Sequence, residues 1–322
     1  MARVVHHLPR ALTFAALTAA LALGATGCAG SGSGSGSDSG GGGDMKMGVT
    51  VSNSTNPFFV MESRTAEEAG KEAGFEVLSQ EAGEDVQTQS DQIDQFITSQ
   101  VSFIVIDPVD SDGVGPAVKR AVQAGIPVVG IDSVTKNANV SVTTNNVQAG
   151  EISCTSLAEQ LGGKGKVAIL DGTPISAVSD RVVGCKKVLE GYPDIEIVAE
   201  QRGDNSRDKA LPVATDILTA NPDIDGIFAI NDPTAAGVEL AAKQKGVTII
   251  ITSVDGAQSA VDSILGGGMI TATAAQDPAA LARKGVELGA QLAKGEKVKE
   301  ELIELPTELV DAETAKSYKP WG

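Results

Sequence analysis

The sequence predicts an α/β protein built as two doubly wound parallel-sheet lobes, and three observations carry that expectation. From residue 45 onward, short apolar runs alternate with amphipathic stretches of helical period. The alternation passes through about five strands and then repeats, which fits two helix-covered sheets better than one closed barrel. The chain has 322 residues, enough for one large or two medium domains with buried cores.

In chain order, strands are expected at 47–51, 75–79, 103–106 and 127–131. Helices are expected at 58–73, 86–100 and 114–124, with Asn56-Pro57 as an ordinary helix start. Residues 103–106 are wholly apolar and short, as a strand buried on both faces requires. The second run places helices at 149–161, 176–190, 207–220, 233–245, 256–265 and 279–294. Its strands fall at 166–170, 195–200, 226–230, 248–252 and 270–274.

Residues 1–27 read as a leader. Arg3 and Arg10 give it a basic start, and an uncharged run of small and apolar residues follows to Gly24. The run is too short for a comfortable membrane span. It ends in Ala25-Thr26-Gly27-Cys28, which is similar to a bacterial lipobox, although the first of these positions is usually Leu. Cys28 would then be the lipidated N-terminus after cleavage. Residues 28–44 are almost all Gly and Ser and bury nothing, so they read as a tether. An exported chain also gives Cys154 and Cys185 a possible disulfide.

Composition excludes some partners and chemistries. Net charge is -17, which disfavours a phosphate backbone and so nucleic acid. The only histidines are His6 and His7, inside the leader, so no metal site and no cofactor are expected. No nucleophile elbow, phosphate-binding glycine loop or dinucleotide fingerprint occurs, so an enzyme is not expected.

In open parallel sheets, ligands bind beyond the carboxyl ends of the strands. The residues there are Ser52 to Phe59, Asp107-Pro108, Asp132-Ser133, Asp171, Asp204-Asn205, Asn231-Asp232, Asp255-Gly256 and Gln276-Asp277, with Arg181 expected at a helix start. Each alone is commonly a helix cap. As a set in both halves they supply paired hydrogen-bonding groups suited to vicinal hydroxyls, with Phe58 and Phe59 as an apolar wall.

The chain from residue 45 to about 310 resembles the ribose-binding-protein branch of periplasmic sugar-binding proteins. The resemblance rests on Val51-Ser52 with Asn56-Pro57-Phe58-Phe59, on Asp107-Pro108-Val109-Asp110-Ser111-Asp112, on Phe228-Ala229-Ile230-Asn231-Asp232 and on Val254-Asp255-Gly256. It implies a type I periplasmic binding fold. Its lobes would be residues 45–146 plus 277–305 and residues 147–276 plus 306–322, joined by three crossovers. It further implies sugar contacts at Ser52, Asn56, Phe58, Phe59, Asp107, Asp132, Arg181, Asn231, Asp255 and Gln276. Ser133 and Asn205 complete the set. A monomer is implied, exported and anchored outside the cell membrane, that hands a monosaccharide or polyol to an ABC-transporter permease.

The chain departs from the ribose pattern. Ribose binders carry an amide at Asp107, Arg at Ser133 and aromatic residues near Asn205 and Val254. A larger sugar, a ketose or a polyol suits the altered wall better than ribose. The added carboxylate with a lone Arg181 also admits an amino sugar or another cationic ligand. The same fold serves ligand-sensing receptors that feed a chemoreceptor or sensor kinase. Sugar-responsive repressors share it too, but they carry a helix-turn-helix where this chain has a leader and tether.

Overall fold

The computed structural model describes residues 45–321; the expected leader, Cys28 and the tether lie outside the described residues. The first sheet joins β1 (Lys46–Val51), β2 (Glu76–Glu81), β3 (Ile104–Ile106), β4 (Val128–Asp132) and β5 (Val140–Thr144) to the late strand β11 (Leu302–Leu305). Its order is β11-β5-β4-β3-β1-β2, and every pairing is parallel. The second joins β6 (Lys164–Asp171), β7 (Asp194–Arg202), β8 (Gly226–Ala229), β9 (Ile250–Asp255) and β10 (Ile270–Ala275) to β12 (Glu308–Asp311). Its order is β12-β10-β9-β8-β6-β7. The two orders correspond strand for strand, and both reverse direction beside their first strand, where such sheets open a crevice.

Helices α1 (Pro57–Glu72), α2 (Val86–Thr98), α3 (Gly115–Gln123) and α9 (Pro278–Ala293) pack on the first sheet. Helices α4 (Asn146–Gln160), α5 (Ser176–Leu189), α6 (Arg207–Ala220), α7 (Asp232–Lys245) and α8 (Gln258–Leu265) pack on the second. Each sheet therefore has two apolar clusters, one per face. The central strands β3, β4, β5 and β8 are buried throughout, and β3 and β8 are the continuous apolar runs that cover on both sides requires.

Three strands depart from the sequence expectation. β5, β11 and β12 were not anticipated, so each sheet has six strands rather than about five. β12 runs antiparallel to β10, so the second sheet is mixed rather than purely parallel. Arg181 lies in the second turn of α5, not at its start.

The chain passes between the sheets at 144–146, 275–278 and 305–308. These passages are bonded together. Thr144 Oγ1 donates to Gln276 Oε1 at 2.9 Å, Asn145 N–H to Leu305 O at 2.9 Å, and Thr307 Oγ1 to Ala275 O at 2.7 Å. Trp321 Nε1 donates to the Gln276 and Asp255 carbonyls at 2.9 and 3.1 Å, and its ring meets Phe58 edge-on at 5.4 Å. A disulfide joins Cys154 on α4 to Cys185 on α5, with Cα atoms 5.0 Å apart.

Candidate functional site

The carboxyl ends of the two sheets face one small cavity, nearly filled by the side chains that line it. Nine of the sequence-selected residues line it, together with Ile175. Asn56, Phe58 and Phe59 come from the start of α1, and Asp132 from the end of β4. Arg181, Asn205, Asn231, Asp255 and Gln276 come from the elements around the second sheet and from the β10–α9 passage.

Several of these residues do two jobs. Asn56 Oδ1 caps α1 by accepting from Phe58 N–H at 3.0 Å, and Asn231 Oδ1 caps α7 by accepting from Thr234 N–H at 3.0 Å. Capping and lining are therefore compatible here, because a capping side chain at a strand end already points at the crevice. Asp277 is only a cap, accepting from Ala280 N–H at 2.9 Å. Asp171 faces an outer groove with Arg202 rather than the cavity.

Arg181 is held from two sides. Its Nε donates to Asn146 Oδ1 at 2.8 Å and its Nη1 to Ile230 O at 3.0 Å, with Asp255 3.8 Å away. Gln276 Nε2 donates to Asp255 Oδ1 at 2.7 Å. Asp232, behind the cavity, accepts from Ala257 N–H at 2.7 Å and from Thr273 Oγ1 at 2.8 Å, and so fixes the loop after Asp255. Burial pushes the Asp232 carboxyl up to about 6. Burial and then the Asp232 charge push Asp255 well above the usual carboxylate range, with Arg181 opposing.

Three selected residues are buried beside the cavity without lining it. Ser133 Oγ donates to Asp132 Oδ2 at 3.2 Å and so orients it. The Ser52 carbonyl accepts from Glu84 N–H at 2.9 Å. Asp107 lies behind the wall, its carboxyl facing that of Glu62 on α1. Burial and the nearby Asp132 charge push Asp107 well up; burial, Asp107 and Asp132 do the same to Glu62.

Sequence reasoning missed Glu62, Gln89 and Trp321. Gln89 holds the loop after β3, donating to Asp107 O at 2.8 Å and accepting from Val109 N–H at 2.8 Å. The signal for Glu62 and Gln89 was present: each falls on the buried stripe of its own helix, beside Phe58 and Phe59 or Ile93 and Phe96.

Two corresponding α/β lobes closing polar side chains around one cavity define a ligand-binding protein of the type I periplasmic binding fold. The chain belongs to the periplasmic binding protein domain family, whose model matches residues 47–297, and within it to the ribose-binding-protein-like sugar binders. It is 32% identical to the ribose import binding protein of Bacillus subtilis, over 82% of this chain and 86% of that protein. It is 31% identical to the xylitol-binding protein of Mycolicibacterium smegmatis, over 79% of this chain and 74% of that protein. The solved ABC-transporter solute-binding protein from Mycobacterium smegmatis with bound glycerol matches with a TM-score of 0.82 at 31% identity. That match covers 87% of this chain and 99% of that one.

Proposed function

We propose that the protein captures a monosaccharide or related polyol between its two lobes and delivers it to an ABC-transporter permease. The observation that carries this reading is the convergence of nine polar and aromatic side chains from both sheets on one cavity. The names of the relatives, for ribose and for xylitol, point the same way.

In this reading the lobes are residues 45–146 plus 277–305 and residues 147–276 plus 306–322. Asp132 and Asp255 accept hydrogen bonds from ligand hydroxyls, and Arg181, Asn56, Asn231 and Gln276 complete the pairing. Phe58 and Phe59 cover an apolar ring face. Binding is the whole mechanism: a ligand touching both lobes favours the form in which they meet, and that form docks on the permease. Contacts across the cleft mouth are consistent with such closure. Ser176 N–H donates to Ser111 Oγ at 3.0 Å, Val134 N–H to Ser176 Oγ at 2.7 Å, and Lys209 Nζ pairs with Glu84 at 2.6 Å.

Export and lipidation at Cys28 belong to the same reading. A tether on a diacylated cysteine keeps the capture body near its permease. Cys28→Ala is expected to move the protein from the membrane fraction to the soluble one, and unchanged membrane retention refutes the anchor. Capture itself is tested by thermal shift across pentoses, hexoses and polyols, since a tight ligand raises apparent stability by mass action. Asp255→Ala should abolish the response of any ligand found. An undiminished response removes Asp255 from the site.

A further inference from the structure

The cleft holds more buried acceptors than its own donors satisfy. Glu62 and Asp107 are fully buried with only each other and the Ser52 N–H as polar neighbours, and Oδ1 of Asp132 on the cavity wall has no hydrogen-bond partner. Three of the nearby side-chain donors are committed elsewhere: Gln276 Nε2 to Asp255, Asn231 Nδ2 to Asn205 O, and Asn205 Nδ2 to Thr173 Oγ1.

Charge is equally one-sided. Glu62 faces the cluster from α1, Asp107 from the end of β3, Asp132 from the end of β4 and Asp255 from the end of β9, with Asp232 on α7 behind it. Among the described residues Arg181 is the only buried Lys or Arg, and it already serves Asn146, Ile230 and Asp255. Buried carboxylates without a cation or a donor are costly, and such groups are retained where a partner completes them.

We propose that the ligand carries a protonated amine, as an amino sugar or amino polyol does. Its ammonium would face Asp132 and be drawn by the Glu62–Asp107 pair behind that wall. The proposal rests on the capture reading above and narrows its ligand class. A hydroxyl brings one donor and no charge, whereas an ammonium brings three donors and a positive charge. The amine also explains Glu62, the one ionisable side chain on the buried stripe of α1, which a neutral sugar site does not need.

Proton linkage follows. Burial raises both carboxyls, so without a cation the facing pair shares a proton. An ammonium favours the ionised pair and expels that proton. Amine affinity therefore rises with pH while the pair ionises and the amine stays protonated. A neutral hydroxyl ligand shows no such rise.

The test compares glucosamine, galactosamine, mannosamine and amino alditols with their parent hexoses and alditols. Readouts are thermal shift, and calorimetry in buffers of different ionisation enthalpy. The expected result is an amine that binds about tenfold or more tighter than its parent and releases a proton on binding. The Glu62→Leu/Asp107→Asn double variant should lose that preference and the release. Its parent-sugar response serves as the folding control, and the wild-type proton count needs no variant. Parent sugars binding as tightly as the amines overturn the proposal and leave the capture reading standing. Amine binding without proton release, or unaltered in the double variant, removes the Glu62–Asp107 seat. No response to either panel overturns both.

Discussion

Asp132 and Asp255 present their carboxylates from backbone positions that favour glycine, with φ of 62° and 141°. Asn205 shares the trait at 55°. Non-glycine residues in this region cost on the order of 1–3 kcal/mol each and persist where the surroundings impose them. Ile131 leads directly into Asp132 at the end of β4, and the Ser133 N–H to Ile131 O bond at 2.6 Å closes that turn. The strain is testable by comparing Asp132→Gly with Asp132→Ala. Both remove the carboxylate, so both should lose the ligand-induced rise in Tm. Ordinarily alanine is the more stabilising of the two, but at this φ glycine should lead by roughly 1 kcal/mol in urea unfolding. Alanine equal to or above glycine would show that the turn is not strained. At this scale the site was partly legible. Asp132, Asn231 and Asp255 announce themselves because they follow apolar strands. Glu62 and Gln89 show only as polar residues inside a buried stripe, a signal whose meaning depends on the face it covers. Trp321 reaches the passages from the far end of the chain, which no local pattern encodes.

At the level of elements, α4 and α5 form the closest pairing around the site. Gly150 lies against the Arg181 carbonyl and Gly184 against the Val147 carbonyl, so a Cβ at either position would collide with backbone. The Cys154–Cys185 bridge ties the same two helices one turn further on. This contact sets Arg181, whose guanidinium reaches back to Asn146 at the start of α4. Gly184→Ala should force the helices apart, displace Arg181 and weaken ligand binding, measured by calorimetry. Cys154→Ser with Cys185→Ser should act differently. The bridge closes a loop of sequence separation 31, so its loss should cost about 3.7 kcal/mol in urea unfolding. Affinity should change little, because the glycine contact remains. Equal loss of affinity in both variants would mean that the bridge, not the close approach, sets Arg181. The elements that the sequence hid have a common cause. β11 and β12 are edge strands of four residues each, with Leu302, Glu304 and Glu308 exposed and a single fully buried position at Val310, so their pattern is that of a surface loop. β5 reads Val-Ser-Val-Thr-Thr, and its hydroxyls suggest a loop although the strand is buried throughout.

Across the whole molecule, the buried carboxyls give stability a pH dependence of definite sign. The Asp232 carboxyl is raised from its ordinary 3.8 to about 6 by burial, against the hydrogen bonds from Ser253, Ala257 and Thr273. A carboxyl raised on folding binds more protons in the native state than in the unfolded one over that interval. Its contribution is complete below the unfolded value and is lost as pH rises through the folded one. A shift of that size corresponds to a loss on the order of 2–3 kcal/mol. Glu62, Asp107 and Asp255 are raised as well and act in the same direction. Asp85, Asp223 and Asp311 are held low by their own hydrogen bonds, but their opposite effect falls at more acidic pH. A net charge of -17 adds self-repulsion as the remaining carboxylates ionise. The free protein should therefore unfold at a higher urea concentration at pH 5 than at pH 7.5, and Asp232→Asn should flatten part of that slope. Stability that climbs between these two values would mean that the buried carboxyls are ionised and paired in the native state. A ligand ammonium should reduce the slope further than a neutral sugar does, because it stabilises the ionised cluster that the free protein disfavours. The urea profile with and without each ligand thus reads the chemistry of the cleft from the stability of the fold that encloses it.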